Sequence, residues 1–159
     1  MTLSRIFVYR IGHPGFIDKL DGEGAARSGG RWNYKGEKVV YTAETSSLAI
    51  LELLSHISDF SDPVPYQLIT INVEIKSILQ YEELSPELPP GWSLHEAGEK
   101  ITKSIGSSWL SDGKSAVLKV PSVHNPLEAN YLLNPKHPDF RAEIVDKHWY
   151  LYDNRLRKL

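Results

Sequence analysis

Three short stretches of this 159-residue chain hold the side chains best suited to chemistry. The first is Gly22-Glu-Gly24-Ala-Ala-Arg-Ser-Gly29-Gly30-Arg31-Trp32-Asn33. A guanidinium set among glycine amides, beside a large aromatic and an amide side chain, suits a bidentate grip on pyrophosphate. The run is not a dinucleotide fingerprint, because Arg27 stands where a third glycine is needed. Nor is it a phosphate-binding loop, because no Gly-Lys-Ser/Thr closes it. Taken alone it reads first as a hairpin whose glycines supply positive φ, with Arg31 in a surface ion pair and Trp32 as a core anchor. The second stretch is LAILELLSHI, with Glu52 near its middle. Most helical glutamates are solvated. This one has apolar flanks, so its carboxylate can face a partly closed cleft, bond sugar hydroxyls and stabilise a developing cation. His56 follows one turn later on the same side, as a pair for Glu52 or as plain polar surface. The third is Pro121-Ser122-Val123-His124-Asn125, at a strand end. It is not a nucleophile elbow, nearness in sequence does not make a triad, and a turn serine is the simpler reading. Tyr9, Trp32, Tyr34, Tyr41 and Tyr131 fall near these polar groups, where rings either receive a planar heterocycle or fill the core.

What the chain lacks narrows the chemistry further. With no cysteine there is no disulfide framework, thiolate metal site or thiol nucleophile. The histidines at 13, 56, 95, 124, 137 and 148 form no H-E-x-x-H or comparable pair, so no metal is expected. The formal net charge of −2 divides into +3 over 1–36, −7 over 37–140 and +2 over 141–159. That pattern leaves no whole-domain basic footprint for nucleic acid, though a local anion site near the N-terminus stays open. No apolar run is long enough to cross a bilayer and the first residues lack a signal-peptide core, so a cytoplasmic protein without membrane contact is expected.

These groups need elements to position them. A strand is expected over 6–11, then a turn-rich loop over 12–36 holding seven of the eleven glycines, then a strand over 38–42. Thr45 or Ser46 caps a helix with a buried stripe at Ile50, Leu53, Leu54 and Ile57; Leu48 and Leu51 add apolar groups on its other side, so cover on most sides is expected. Alternation at Ile69, Ile71, Val73 and Ile75 marks a half-buried strand over 66–75, and Pro86, Pro89 and Pro90 mark a loop. A polar helix over 94–110 is weakened by Gly98 and Gly106; a strand over 115–120 stops at Pro121, and a Pro- and Asn-rich loop follows. The end reads as one or two antiparallel strands and a basic tail. Strands outnumber helices without βαβ alternation, which favours an α+β fold. No repeat or linker divides the chain, so one domain over 1–159 is expected.

In their order, G-G-R-W-N, L-E-L-L-S-H and P-S…N-Y-L-L-N-P-x-H-P, with the blocks between them, resemble the RES domain family over nearly the whole chain. The resemblance implies an ADP-ribosyltransferase-like fold: split, mostly antiparallel or mixed β-sheets with flanking helices around an NAD cleft. It implies a toxin of a bacterial toxin–antitoxin pair that breaks the nicotinamide–ribose bond of NAD+ with water or phosphate as acceptor. By the same resemblance Arg31, Tyr41, Glu52 and Ser122 are the catalytic set, and Arg31, Trp32, Tyr41, Ser122 and Asn134 contact the dinucleotide. Arg31 is expected on pyrophosphate, Tyr41 against nicotinamide or ribose, Glu52 on the ribose and its developing cation, and Ser122 on the ribose ring. The implied partner is an Xre-type helix-turn-helix antitoxin whose C-terminal segment blocks the cleft. DNA is then met only through the antitoxin, with a dimer expected within that complex. Two other readings stay open: a protein ADP-ribosyltransferase using the same site, and a nucleotide-binding module that turns nothing over.

Overall fold

A computed structural model describes residues 4–59, 64–76, 88–153 and 155–156. The elements run β1 (Ser4–Gly12), α1 (Glu23–Ser28), β2 (Val40–Ala43), α2 (Ser46–His56), β3 (Tyr66–Ile75), α3 (Ala97–Asp112), β4 (Val117–Pro121), β5 (Ala129–Leu133) and β6 (Ala142–Tyr150). Pro86 and residues 157–159 of the expected basic tail lie outside the described residues.

The strands form one antiparallel sheet in the order β4-β5-β2-β1-β3-β6, so the fold is α+β. The expected split takes a particular form. β4-β5-β2 and β1-β3-β6 are each ladders of several paired residues, but β1 meets β2 through the single pair Tyr9↔Ala43. α2 bridges that seam. Its Leu48 and Ala49 cluster with Ala43 of β2 and with Tyr9 and Ile11 of β1, so helix packing supplies what the missing ladder does not.

Side-chain alternation divides the sheet into two faces. One holds Val8, Val40, Ile69, Ile71, Val73, Val117, Tyr131 and Leu133, with Ile17 of the loop after β1 closing over them. The other holds Leu118, Val120 and Leu132 under Trp32, Val39 and Trp109. Tyr41 packs against this second cluster, and the register Tyr41↔Leu132↔Leu118 puts all three in one row.

Four expectations change. The glycine stretch is not wholly loop. Ala25, Ala26 and Arg27 are good helix formers, and α1 forms between Gly22 and Gly29, both at positive φ. A Cβ on Gly22 would sit 2.7 Å from the Val39 backbone nitrogen, so that entry turn admits no side chain. β5 stands within the stretch expected as a Pro- and Asn-rich loop. Four of its five residues are buried, which removes the alternation that betrays a strand. In α2 the buried residues are Leu48 and Ala49, while Ile50, Leu53 and Leu54 are half-buried and Leu51 is exposed, so the helix is covered on one side only. Finally, the α3 glycines are contact points. A Cβ on Gly106 would lie 1.8 Å from the Trp32 carbonyl oxygen, and one on Gly98 2.2 Å from that of Trp92. Gly98, Thr102, Gly106 and Trp109 form the buried face of α3, and the missing side chains let it seat directly on the backbone carrying Arg31 and Trp32.

Candidate active site

Glu52 owes its direction to helix periodicity. It lies three and four residues beyond Ala49 and Leu48, the buried residues of α2, and so shares their inward side. Thr45 caps the helix, its Oγ1 accepting from Leu48 N at 3.0 Å while donating to Glu128 Oε2 at 2.8 Å. Glu44 adds a second tie, with Ala129 N donating to its Oε2 at 2.8 Å. The start of α2 is thereby fastened to the β4–β5 connection, which carries Ser122.

Across that junction Ser122 Oγ donates to Glu52 Oε1 at 3.2 Å. The hydroxyl also accepts from the backbone N–H groups of His124 at 3.0 Å and Asn125 at 3.1 Å. A serine hydroxyl has one proton and two lone pairs, so its capacity is filled. The two amides occupy the acceptor side and aim the proton at the carboxylate. The hydrogen bond expected from Ser122 to ribose therefore goes to Glu52 in this structure. Ser122 is only 2% exposed, whereas the Glu52 side chain keeps 28% of its surface open. A carboxylate in that position is accessible to a ligand and held by a buried donor.

The other oxygen, Glu52 Oε2, lies 3.5 Å from His124 Nε2. His56, weighed above as the partner of this carboxylate, instead has Nδ1 2.8 Å from the Glu52 backbone carbonyl oxygen and 3.1 Å from Ser55 Oγ. His124 sits in a stretch singled out for its serine. What would have found it is the turn itself, since a serine that accepts from the amide two residues on fixes where that residue's side chain starts.

Arg31 and Tyr41 form a second group. The Tyr41 hydroxyl donates to Asn33 Oδ1 at 2.7 Å and accepts from Trp32 N at 3.0 Å. The Asn33 amide nitrogen is within bonding distance of the carbonyl oxygens of Ala25, Tyr34 and Glu37 at 3.0–3.1 Å, so this fully buried side chain knots the loop together. Gly30 leaves room for the knot, since a Cβ there would lie 2.6 Å from the Tyr41 hydroxyl. Burial pushes the Tyr41 phenol well above its ordinary range; the Trp32 N–H and the Arg31 charge pull the other way without undoing it. The Arg31 carbonyl accepts from Thr102 Oγ1 of α3 at 2.5 Å, and its guanidinium has only a 3.4 Å contact with the Trp92 carbonyl oxygen. Among the described residues it has no carboxylate partner.

Trp32 takes the core-anchor role. It is 3% exposed and packed with Trp109, Leu118 and Leu132. Asn134 is buried too, its Oδ1 accepting from Lys136 N at 3.0 Å; it follows β5 at the end opposite Ser122, which adjoins the Pro121↔Ala129 pair. Tyr131 belongs to the other sheet face. The structure thus joins Glu52 to Ser122 and His124, and Arg31 to Tyr41. By strand register the row of Tyr41 and the position of Ser122 are four residues apart on β4, about 13 Å at strand rise, on the same face. Among the described residues no group of three or more His, Asp or Glu gathers to hold a metal, and no helix is long and apolar enough to cross a membrane.

Comparison with known proteins gives this arrangement a context. Residues 7–154 match the family model described as the RES domain. The chain is 40% identical over 143 residues to the Prs ADP-ribosylating toxin of Sphingobium sp. (strain YBL2), covering 87% of each chain. It is 38% identical over 159 residues to Toxin Res of Yersinia enterocolitica, covering 99% of this chain and 100% of that one. Its fold is similar to a chain in the crystal structure of the M. tuberculosis MbcT–MbcA toxin–antitoxin complex, with a TM-score of 0.71 at 17% identity, over 93% of this chain and 85% of that one.

Proposed function

This chain belongs to the RES domain family, and we propose that it is a toxin that consumes NAD+ by breaking the bond between nicotinamide and ribose. The observation that carries the reading is the Glu52 carboxylate, partly open to ligand and held at Oε1 by the buried Ser122 hydroxyl. In the reaction the C1′–N1 bond breaks and its electron pair goes to the pyridinium nitrogen, so nicotinamide leaves neutral without a strong general acid. The ribose passes through an oxocarbenium-like state, and an acceptor oxygen bonds to C1′ and gives up its proton. A fixed carboxylate stabilises that cation more than it stabilises the ground state, which is the condition for acceleration.

Tyr41 lies on the sheet face that Ser122 continues, and Arg31 is carried by the loop whose Trp32 N–H bonds the Tyr41 hydroxyl. A dinucleotide laid along the sheet would place its pyrophosphate toward Arg31 and its nicotinamide riboside toward Glu52. Since Trp32 and Asn134 are buried, their part is to hold the framework under that ligand. A second reading, transfer of ADP-ribose to a protein, is favoured by the 40%-identical relative whose name is an ADP-ribosylating toxin. A non-catalytic nucleotide-binding module has no comparable support. The whole chain from 1 to 159 acts as one domain in this proposal, in the cytoplasm where NAD+ is found. Such an activity harms its own cell, so it requires a neutralising partner. The toxin–antitoxin complex of similar fold supports an antitoxin, and an Xre-type protein that carries the DNA contact and joins two toxins into a dimer extends that proposal.

Incubating adenylate-labelled NAD+ with the purified chain separates the readings. Free labelled ADP-ribose, or its phosphate when phosphate is supplied, supports glycosidic cleavage; label on protein supports transfer; binding without nicotinamide release supports the module and overturns both.

A further inference from the structure

We propose that His124 is a positioning residue for Glu52, supplying from Nε2 the second contact that fixes the carboxylate; this rests on the glycosidic reading above. Ser122 holds Oε1 at 3.2 Å, and His124 Nε2 faces Oε2 at 3.5 Å, so the two oxygens are addressed from one turn by adjacent devices. The turn is rigid for a reason internal to it. Ser122 Oγ accepts from His124 N, so the residue that receives Glu52 also sets the origin of the imidazole. Asn125 N ties to the same oxygen, and Leu127 N to Asn125 Oδ1 at 3.1 Å, which closes the loop behind the ring. The His124 side chain is 33% exposed and Glu52 28%, so both border the open side of the site without being lost to bulk water. A single donor leaves a carboxylate free to swing about that bond, whereas two donors on its two oxygens define its plane. The plane matters because the charge acts on a cation that exists only in the transition state, where orientation governs kcat and leaves ground-state affinity largely untouched. With the proton on Nε2, His124 acts as the donor and works through Glu52. Glutamine places an amide N–H at similar reach, while alanine places nothing.

Nicotinamide release by wild type, H124A and H124Q tests this. H124A is expected to lose about tenfold in kcat, the size of one modest polar contact, with KM for NAD+ within about twofold, and H124Q is expected to recover most of the loss. Wild-type kcat in H124A, a rise in KM alone, or an H124Q no better than H124A overturns the assignment. A second measurement needs no turnover. In histidine-ring 15N spectra the His124 Nε2 resonance should move in E52Q relative to wild type, and an unmoved resonance overturns the contact. If wild type releases no nicotinamide, the glycosidic reading fails, while the spectra still decide whether His124 holds Glu52.

Discussion

Replacing Ser122 with alanine removes one hydroxyl that serves three groups, and the structure separates the consequences. The donor to Glu52 Oε1, a buried hydroxyl at 3.2 Å, disappears. A hydrogen bond to a charged group is worth about 1.5–3 kcal/mol. Where that bond sets carboxylate orientation in the transition state, the loss corresponds to roughly 10–150-fold in kcat, with KM for NAD+ little changed. The amides of His124 and Asn125 also lose their acceptor. At about 0.5–1.5 kcal/mol each that is about 1–3 kcal/mol of stability, or roughly 2–12 °C in Tm for a chain of this size. Steady-state nicotinamide release and a thermal melt measure the two separately, and the assay is run well below the mutant's transition so that unfolding does not imitate lost turnover. An S122A protein with wild-type kcat refutes the claim that Ser122 orients Glu52. One with wild-type Tm refutes the claim that its hydroxyl holds the turn.

Other perturbations follow from particular contacts. Glu52→Gln keeps the shape and loses the charge, so kcat should fall about 100–1000-fold, by analogy with loss of one oxyanion-hole donor, while NAD+ binding measured by calorimetry persists. Gly30→Ala drives a Cβ to 2.6 Å from the Tyr41 hydroxyl and 2.8 Å from Asn33 Oδ1; a denaturant melt should show a loss of about 1–3 kcal/mol. Gly106→Ala meets backbone at 1.8 Å and should push α3 off the Arg31 segment, weakening NAD+ affinity along with stability. The folded state holds the Tyr41 phenol protonated above its ordinary pKa. The stability this contributes is therefore complete below about pH 10 and is lost as pH rises through the folded value. A base titration should show that loss in wild type and not in Y41F.

Much of the fold could be read from residue pattern because the pattern and the packing obey the same rule. β3 alternates at Ile69, Ile71, Val73 and Ile75, all of them buried, and spans the expected 66–75. Hydroxyl chemistry narrowed the N-cap to Thr45 or Ser46, and Thr45 takes it. β5 escaped because burial on both faces erases alternation in a segment of five residues between prolines. The α3 glycines were misleading for a related reason: propensity counts them as defects, while the role of Gly106 depends on Trp32, 74 positions earlier in the chain. At the site, Glu52 was visible from its flanks, but its histidine partner was not. His56 shares a helix face with it, yet the carboxylate meets His124, 72 residues away in sequence. Tertiary contacts of that separation have no local signature.

The most direct test is to quantify nicotinamide released from NAD+ by the purified wild-type chain beside E52Q. Release equal to the NAD+ consumed, and at least 100-fold slower in E52Q, is the predicted result. Bound NAD+ left intact by wild type, or equal release by both proteins, would contradict a glycosidic site built on Glu52.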